Sequence, residues 1–189
     1  MISDALDARL RAAAAAEGLL DAAFDVMDSP VGLLLLAATP QGLCQINFRP
    51  DPEEALERLA RLYGPRVLRS SEPLRGARRE LDAYFEGKRR AFDLPLDVRG
   101  SGFTGRVLVE LGRVPYGEVV SYGELARRAG NPRAARAVGM TMNRNVLPIV
   151  LPCHRVVGAN GSLVGYAGGL DTKRFLLELE GVLPQSISL

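Results

Sequence analysis

The sequence predicts an α+β fold in two parts, a small unit of strands and helices followed by a mostly helical unit. Three observations predict it. Between residues 24 and 48, short apolar runs are cut by Ser29-Pro30, Gly32 and Pro40-Gln41-Gly42, the pattern of strands joined by tight turns. Residues 53–63 and 74–86 carry apolar side chains at helical spacing. After the Pro- and Gly-bearing stretch FDLPLDVRGSG, the chain reads as helices separated by glycine turns. That stretch sets a boundary near residues 96–102. The expected division is an extension over 1–23, an α+β domain over 24–98 and a C-terminal domain over 99–189.

Taken in order, residues 4–23 are alanine-rich and are expected to form a helix or a frayed extension. The strand meander follows. Cys44 sits inside its last run, where a small apolar residue belongs to a core. In EEALERLARLY, Ala55, Leu56, Leu59 and Leu62 fall near one helical face. LRGARRELDAYFE repeats that pattern, and Gly87 is a natural stop. The second part opens with a helix from about Thr104 to Leu111, then a loop through Pro115, Tyr116 and Gly117. Ser121 caps the next helix, SYGELARRA, and Glu124, three residues on, completes a capping box. Gly130 ends it, and Asn131 caps a further helix with Pro132 in its first turn. Helix, glycine turn, helix is the spacing of a helix-turn-helix. The second of these helices, from Arg133 to Gly139, is built of small residues. Such a helix either packs on a neighbour through its alanines or presses close to a minor groove, where arginines and apolar wedges distort DNA. The sequence leaves the two open.

Apolar residues make up 47% of the 189 and charged residues 24%, a balance that excludes a largely disordered chain. The net charge of +2 is uneven: residues 1–95 sum to −2 and residues 96–189 to +4. The second half is therefore the better candidate for contact with a polyanion. Cys44 and Cys153 are the only cysteines and His154 the only histidine. This excludes a disulfide framework, a four-thiolate zinc site and a histidine-rich one. The first twenty residues carry acids and arginines where a signal peptide needs an unbroken apolar run. No apolar run approaches a bilayer span. A reducing cytoplasm and no membrane association are expected.

The sharpest chemical feature is Leu151-Pro152-Cys153-His154-Arg155-Val156. A cysteine attacks as thiolate, and a nearby imidazole favours that form. Neighbours on an extended chain point to opposite sides, so Cys153 and His154 meet only if the backbone bends or a water bridges them. The imidazole needs a partner to fix its tautomer, and the last helix, TKRFLLELE, offers Glu178 and Glu180. Around the pair lie Asn143-Arg144-Asn145 upstream and the glycine-rich GSLVGYAGGL, with Tyr166, downstream. The latter lacks the spacing of a P-loop or a dinucleotide fingerprint. It reads as a flexible wall around a flat ligand or as an ordinary turn.

PCHRV, preceded by the helix-turn-helix and followed by GYAGGL and KRFLLELEG, resembles the O6-alkylguanine-DNA alkyltransferases, also called methylated-DNA–protein-cysteine methyltransferases. The resemblance is dense from Phe103 to Gly181 and looser from about Phe24 to Asp97. It implies a small N-terminal ribonuclease H-like α+β domain and a mostly helical C-terminal domain with a winged helix-turn-helix. It implies suicide transfer of an alkyl group from O6 of guanine, and from O4 of thymine, in DNA. Cys153 is then the acceptor, His154 its base through a water, and Glu180 the residue that orients His154. Asn145 braces the turn that presents the cysteine, and Tyr122 supports the flipped base and gives it a proton. Arg136 enters the duplex where the guanine was, while Ala135, Ala137 and Gly139 suit a close minor-groove approach. Met142, Pro148 and Val156 match pocket-wall positions, and Tyr166 and Ala167 lie in the loop that closes over the base. The implied partner is double-stranded DNA carrying O6-alkylguanine, met by a monomer without metal or cofactor.

Two positions depart from the common family pattern. Ala167 stands where many relatives carry serine, and it keeps the backbone N–H that meets guanine O6. Val164 stands at a common glycine, and a narrower or stiffer pocket with less room for bulky alkyl groups is expected. Three other readings compete. A non-catalytic damage binder lacks the acceptor cysteine; a transcription regulator needs no Cys-His pair; a Cys-His hydrolase needs an oxyanion hole that sequence does not display.

Overall fold

A computed structural model describes residues 17–184, together with Arg9, Arg11, Ala13 and Ala14. Those four are helical, and the Ala13 and Ala14 carbonyls accept from Glu17 and Leu19. The rest of the expected N-terminal helix before residue 17 lies outside the described residues. Its last two positions, Ala22 and Ala23, belong to a strand instead.

The first unit is built on a four-stranded sheet: β1 (Ala22–Met27), β2 (Leu34–Thr39), β3 (Gly42–Phe48) and β4 (Val67–Arg69), in the order β3-β2-β1-β4. β1–β2 and β2–β3 are antiparallel, and β4 runs parallel to β1. Every residue of β2 is buried, as a continuous apolar run in a central strand should be. Leu34, Leu35 and Leu36 are fully covered, each contributing about 1.5–3 kcal/mol of burial. The turn into β3 requires Gly42: its φ is +143°, and a Cβ there would collide with the Pro95 carbonyl. That carbonyl accepts from Leu43 N–H at 2.9 Å, and the Leu43 carbonyl accepts from Asp97 N–H at 2.9 Å.

Helix α1 (Pro52–Tyr63) is capped by the Asp51 carboxylate, which accepts from Glu53 and Glu54 N–H. Ala55 and Leu59 join Phe24, Leu35, Ala37, Cys44 and Val67 in one core. Leu56 and Leu62, expected on the same face, stay 40% and 46% exposed. The helix lies over β1 and the three-residue β4, which give it less surface than its apolar stripe could use. Helix α2 (Arg75–Phe85), entered through a 3-10 turn at Glu72–Leu74, buries Ala77, Leu81 and Tyr84. Arg78 fastens it to β1 through Asp25 at 2.7 Å and the Val26 carbonyl at 2.9 Å.

The first unit runs to Glu86 and includes Asp93–Val98; the second takes Gly87–Phe92 and continues from Arg99. In the second unit, α3 (Gly102–Gly112), α4 (Tyr122–Arg128) and α5 (Ala135–Asn143) pack on one another. Ser121 Oγ accepts from Glu124 N–H at 3.1 Å, so the serine half of the cap forms. The Glu124 carboxylate turns to Arg127 and Arg128 instead of completing the box. Gly130, at φ +84°, closes the helix with Asn131 N–H on the Ala126 carbonyl. Asn131 caps only a local turn, through Arg133 N–H at 3.3 Å, so α5 starts at Ala135 rather than beside Pro132. A two-stranded parallel sheet joins β5 (Val120–Ser121) to β6 (Val156–Val157). Helix α6 (Leu170–Leu179) closes the unit. The predicted α+β class, sheet first and helices second, is the class observed. No helix among the described residues is long and apolar enough to cross a membrane.

Candidate active site

The β5–β6 pair sets the site: one strand leads into Tyr122 on α4, and the other leaves the turn that carries Cys153. Between α5 and that turn the chain doubles back, with Leu151 N–H on the Leu147 carbonyl at 2.8 Å. Asn145 braces the bend from both sides. Its Nδ2 donates to the Leu151 carbonyl at 2.8 Å and its Oδ1 accepts from Leu147 N–H at 3.1 Å. Inside the bend Ile149 adopts φ +74°, a left-handed conformation that costs a β-branched residue about 1–3 kcal/mol. Cys153–Arg155 then form a 3-10 turn. The backbone therefore bends where simple alternation would send Cys153 and His154 to opposite sides. Both are buried, at 4% and 0% exposure.

His154 Nε2 lies 2.8 Å from Glu180 Oε1. Arg155 grips the same carboxylate, Nη2 on Oε1 and Nε on Oε2, both at 2.9 Å. Gly117 N–H adds a bond to Oε2 at 3.3 Å. Arg155 also donates to the Val114 carbonyl at 2.6 Å and lies over the Tyr116 ring. Burial pushes the Glu180 carboxyl up, but the bonds from His154 and Arg155 outweigh it and hold the group at about 2. An ionised Glu180 accepts a proton-bearing Nε2, which leaves the lone pair on Nδ1. That Nδ1 is buried and has no hydrogen-bond partner among the described residues. Burial, the largest influence, lowers the His154 pKa below its ordinary value, against the Glu180 contact. The imidazole is thus neutral near pH 7.

Burial pushes the Cys153 thiol up to about 11, against a hydrogen bond from Asn145 and the charge of Lys173. The resting nucleophile is a thiol, and its proton must leave as part of the reaction. Tyr122 is half-buried; burial and then the Cys153 charge raise its phenol pKa, so it stays a proton donor. Its hydroxyl reaches the Val164 carbonyl at 3.4 Å. Tyr166 meets the His154 ring edge-on, with centroids 6.4 Å apart. Ala167 and Val164 are exposed, whereas Met142, Pro148 and Val156 are buried. The turn, α4, the loop and the end of α6 thus bring Cys153, His154, Glu180, Asn145, Tyr122 and Tyr166 into one region.

Ala135, Arg136, Ala137 and Gly139 lie together on α5. Arg136 is exposed and makes no hydrogen bond or ion pair among the described residues, while the three small residues are partly covered. Gly139 lies against Tyr122: a Cβ there would sit 3.9 Å from its ring. Three participants escaped the sequence reading. Arg155 was visible as a charge inside the apolar run IVLPCHRVV. Lys173 was visible as a lysine sharing a helical face with Leu176, Leu177 and Glu180. The strain at Ile149 had no sequence signal. No group of three or more His, Cys, Asp and Glu among the described residues is arranged to hold a metal.

Comparison with known proteins places this geometry in context. The family profile "6-O-methylguanine DNA methyltransferase, ribonuclease-like domain" matches residues 23–98. The profile "6-O-methylguanine DNA methyltransferase, DNA binding domain" matches residues 102–182. The methylated-DNA–protein-cysteine methyltransferase of Methanosarcina acetivorans is 44% identical over 158 residues, spanning 84% of this chain and 97% of that one. The crystal structure of Mycobacterium tuberculosis O6-methylguanine methyltransferase superposes with a TM-score of 0.73 at 38% identity, covering 88% of this chain and 97% of that one. That of Mycobacterium tuberculosis OGT in complex with DNA gives 0.74 at 41% identity, covering 84% and 92%.

Proposed function

The chain belongs to the 6-O-methylguanine DNA methyltransferase family, and from that premise we propose that it repairs DNA by moving an alkyl group, methyl foremost, from guanine O6 onto Cys153. O4-alkylthymine is a second substrate. The observation that carries this reading is the buried His154. Its Nε2 is bound to Glu180, and its open Nδ1 belongs to the residue next in chain to a buried thiol.

The target atom lies inside a base pair, so the nucleotide must be extruded, and a poorly pairing alkylguanine is cheaper to extrude. The α5 helix approaches the minor groove, Ala135, Ala137 and Gly139 permit close contact, and Arg136 fills the vacated position. Contacts to phosphates make this largely independent of sequence. The extruded base stands between Tyr122 and the loop carrying Tyr166 and Ala167, with Met142, Pro148 and Val156 behind it. The Cys153 proton passes through a water to His154 Nδ1. The thiolate attacks the alkyl carbon as the carbon–O6 bond breaks, and the Tyr122 hydroxyl protonates the departing guanine. Glu180 stabilises the imidazolium that forms, and Asn145 holds the turn that aims the sulfur. The product is a thioether, which water does not cleave, so each molecule reacts once. The protein works as a monomer in the cytoplasm and needs no cofactor.

Cys153→Ala tests the assignment. It should bind O6-methylguanine duplex as the parent does yet remove no methyl group. Clearance of methyl groups by the alanine variant would end the proposal.

A further inference from the structure

The loop between α3 and β5 grips the end of α6 through three residues. The Val114 carbonyl accepts from Arg155 Nη1 at 2.6 Å. The Tyr116 hydroxyl donates to the Leu179 carbonyl at 2.8 Å, and Gly117 N–H donates to Glu180 Oε2 at 3.3 Å. Gly117 stands at φ +80°, and a Cβ there would lie 3.2 Å from the Glu180 carbonyl oxygen, so glycine permits both the turn and the close approach. The last turn of a helix leaves carbonyls without an intrahelical donor. Here those of Leu176, Leu177 and Glu178 accept from Glu180, Val182 and Gly181 N–H, and that of Leu179 accepts from the Tyr116 hydroxyl. Leu179 directly precedes Glu180, so the hydroxyl pins the backbone that carries the carboxylate. The ring adds a second hold. The Arg155 guanidinium lies over it, 5.9 Å from the centroid, within reach of a cation–π contact, and Arg155 itself binds both Glu180 oxygens. Arg90, from residues 87–92 of the same unit, lies over that ring at 5.6 Å.

We propose that Tyr116 is a positioning residue for alkyl transfer: its hydroxyl and its ring together fix where the Glu180 carboxylate meets His154 Nε2. The proposal rests on the transfer reading above and deepens it, because Glu180 orients the base and Tyr116 orients Glu180. The tautomer of His154 depends on the bond at Nε2. A carboxylate that drifts lets the ring proton move to Nδ1, the atom that must stay open to take the thiol proton. Burial and then the Glu180 charge raise the Tyr116 phenol above its ordinary pKa, so the hydroxyl keeps its proton and its donor role. The two holds are separable. Phenylalanine keeps a ring over Arg155 and loses the bond to Leu179; leucine loses both.

The test compares Tyr116→Phe and Tyr116→Leu with the parent. His154 is the only histidine, so nitrogen-15 histidine labelling gives one pair of ring signals, whose shifts report where the proton sits. Single-turnover transfer from O6-methylguanine duplex is followed at several duplex concentrations, and melting is recorded for each variant. The parent should show the proton on Nε2. Tyr116→Leu should move the shifts toward a mixture of the two tautomers, with Tyr116→Phe between. The maximal transfer rate should fall about tenfold in Tyr116→Phe and about a hundredfold in Tyr116→Leu, while the duplex concentration for half the maximal rate stays at the parental value. Parental ring shifts in both variants would overturn the proposal, however far melting falls, and so would altered shifts with a parental transfer rate. Where the leucine variant does not fold, the phenylalanine variant decides alone. The ring signals need no DNA, so they test the hold on Glu180 separately from repair. Failure of the parent to repair O6-methylguanine would sink the function and leave the tautomer result standing.

Discussion

Replacing Glu180 with glutamine removes one charge from the buried network and almost no volume. Four donors converge on that carboxylate: His154 Nε2 at 2.8 Å, Arg155 Nε and Nη2 at 2.9 Å, and Gly117 N–H at 3.3 Å. An amide offers one oxygen and one NH2, so two donors are left facing a donor whichever way it turns. The buried Arg155 also loses its counter-charge. Breaking a buried pair from one side costs about 3–5 kcal/mol. The carboxyl itself gives a similar figure. It stands at about 2 in the folded protein, against about 4.3 when unfolded, which is worth about 3 kcal/mol at neutral pH. For a chain of this length each kcal/mol moves the melting temperature by about 2–4 °C, so a drop of about 6–20 °C is expected. If the amide NH2 turns to His154, it demands a lone pair on Nε2 and puts the proton on Nδ1, removing the base. Transfer should then slow by about 10²–10⁴-fold. Circular dichroism melting and single-turnover transfer to O6-methylguanine duplex read the two effects. A variant that melts within about a degree of the parent and transfers at the parental rate would refute the reasoning.

Three further outcomes follow from the same geometry. The folded pKa of Glu180 is depressed, so its stabilisation is present above the unfolded value and lost as pH falls through the folded one. Acid melting between about pH 5 and 2 should therefore erode the parent more than Glu180→Gln. Burial lowers the His154 pKa, so the acid limb of the transfer rate should have its midpoint below the ordinary value of about 6.5; a midpoint above it would mean that His154 is not the base. Arg136→Ala should slow repair in duplex DNA far more than reaction with the free alkylated base, because the exposed guanidinium acts on the helix and not on the thiol. Equal loss on both substrates would remove that role.

The division into sheet and helices was legible because period and punctuation carry it. Ser29-Pro30, Gly32 and Pro40-Gln41-Gly42 mark turns, and Ser121 with Gly130 brackets α4. The start of α5 was misplaced because Asn131 satisfies a local turn, a choice that depends on the following three residues as much as on the cap itself. Leu56 and Leu62 share a helical face with Ala55 and Leu59 in the sequence yet stay exposed, because a helical wheel counts apolar positions and does not measure the sheet beneath them. At the site, the motif PCHRV supplied the thiol and the imidazole, and the terminal helix supplied two acids. The fold chose Glu180 for His154. What stayed illegible was three-dimensional: Arg155 earning its burial from a carboxylate 25 residues away, Lys173 held by two backbone carbonyls, and the left-handed Ile149 inside the bend that Asn145 braces.

The most direct measurement is intact-protein and peptide mass spectrometry after mixing the chain with a duplex that holds a single O6-methylguanine. The account predicts a mass gain of one methyl group per molecule, confined to the peptide with Cys153 and ceasing when each molecule has reacted once. Methyl on any other residue, or repair that continues past one equivalent, would contradict it.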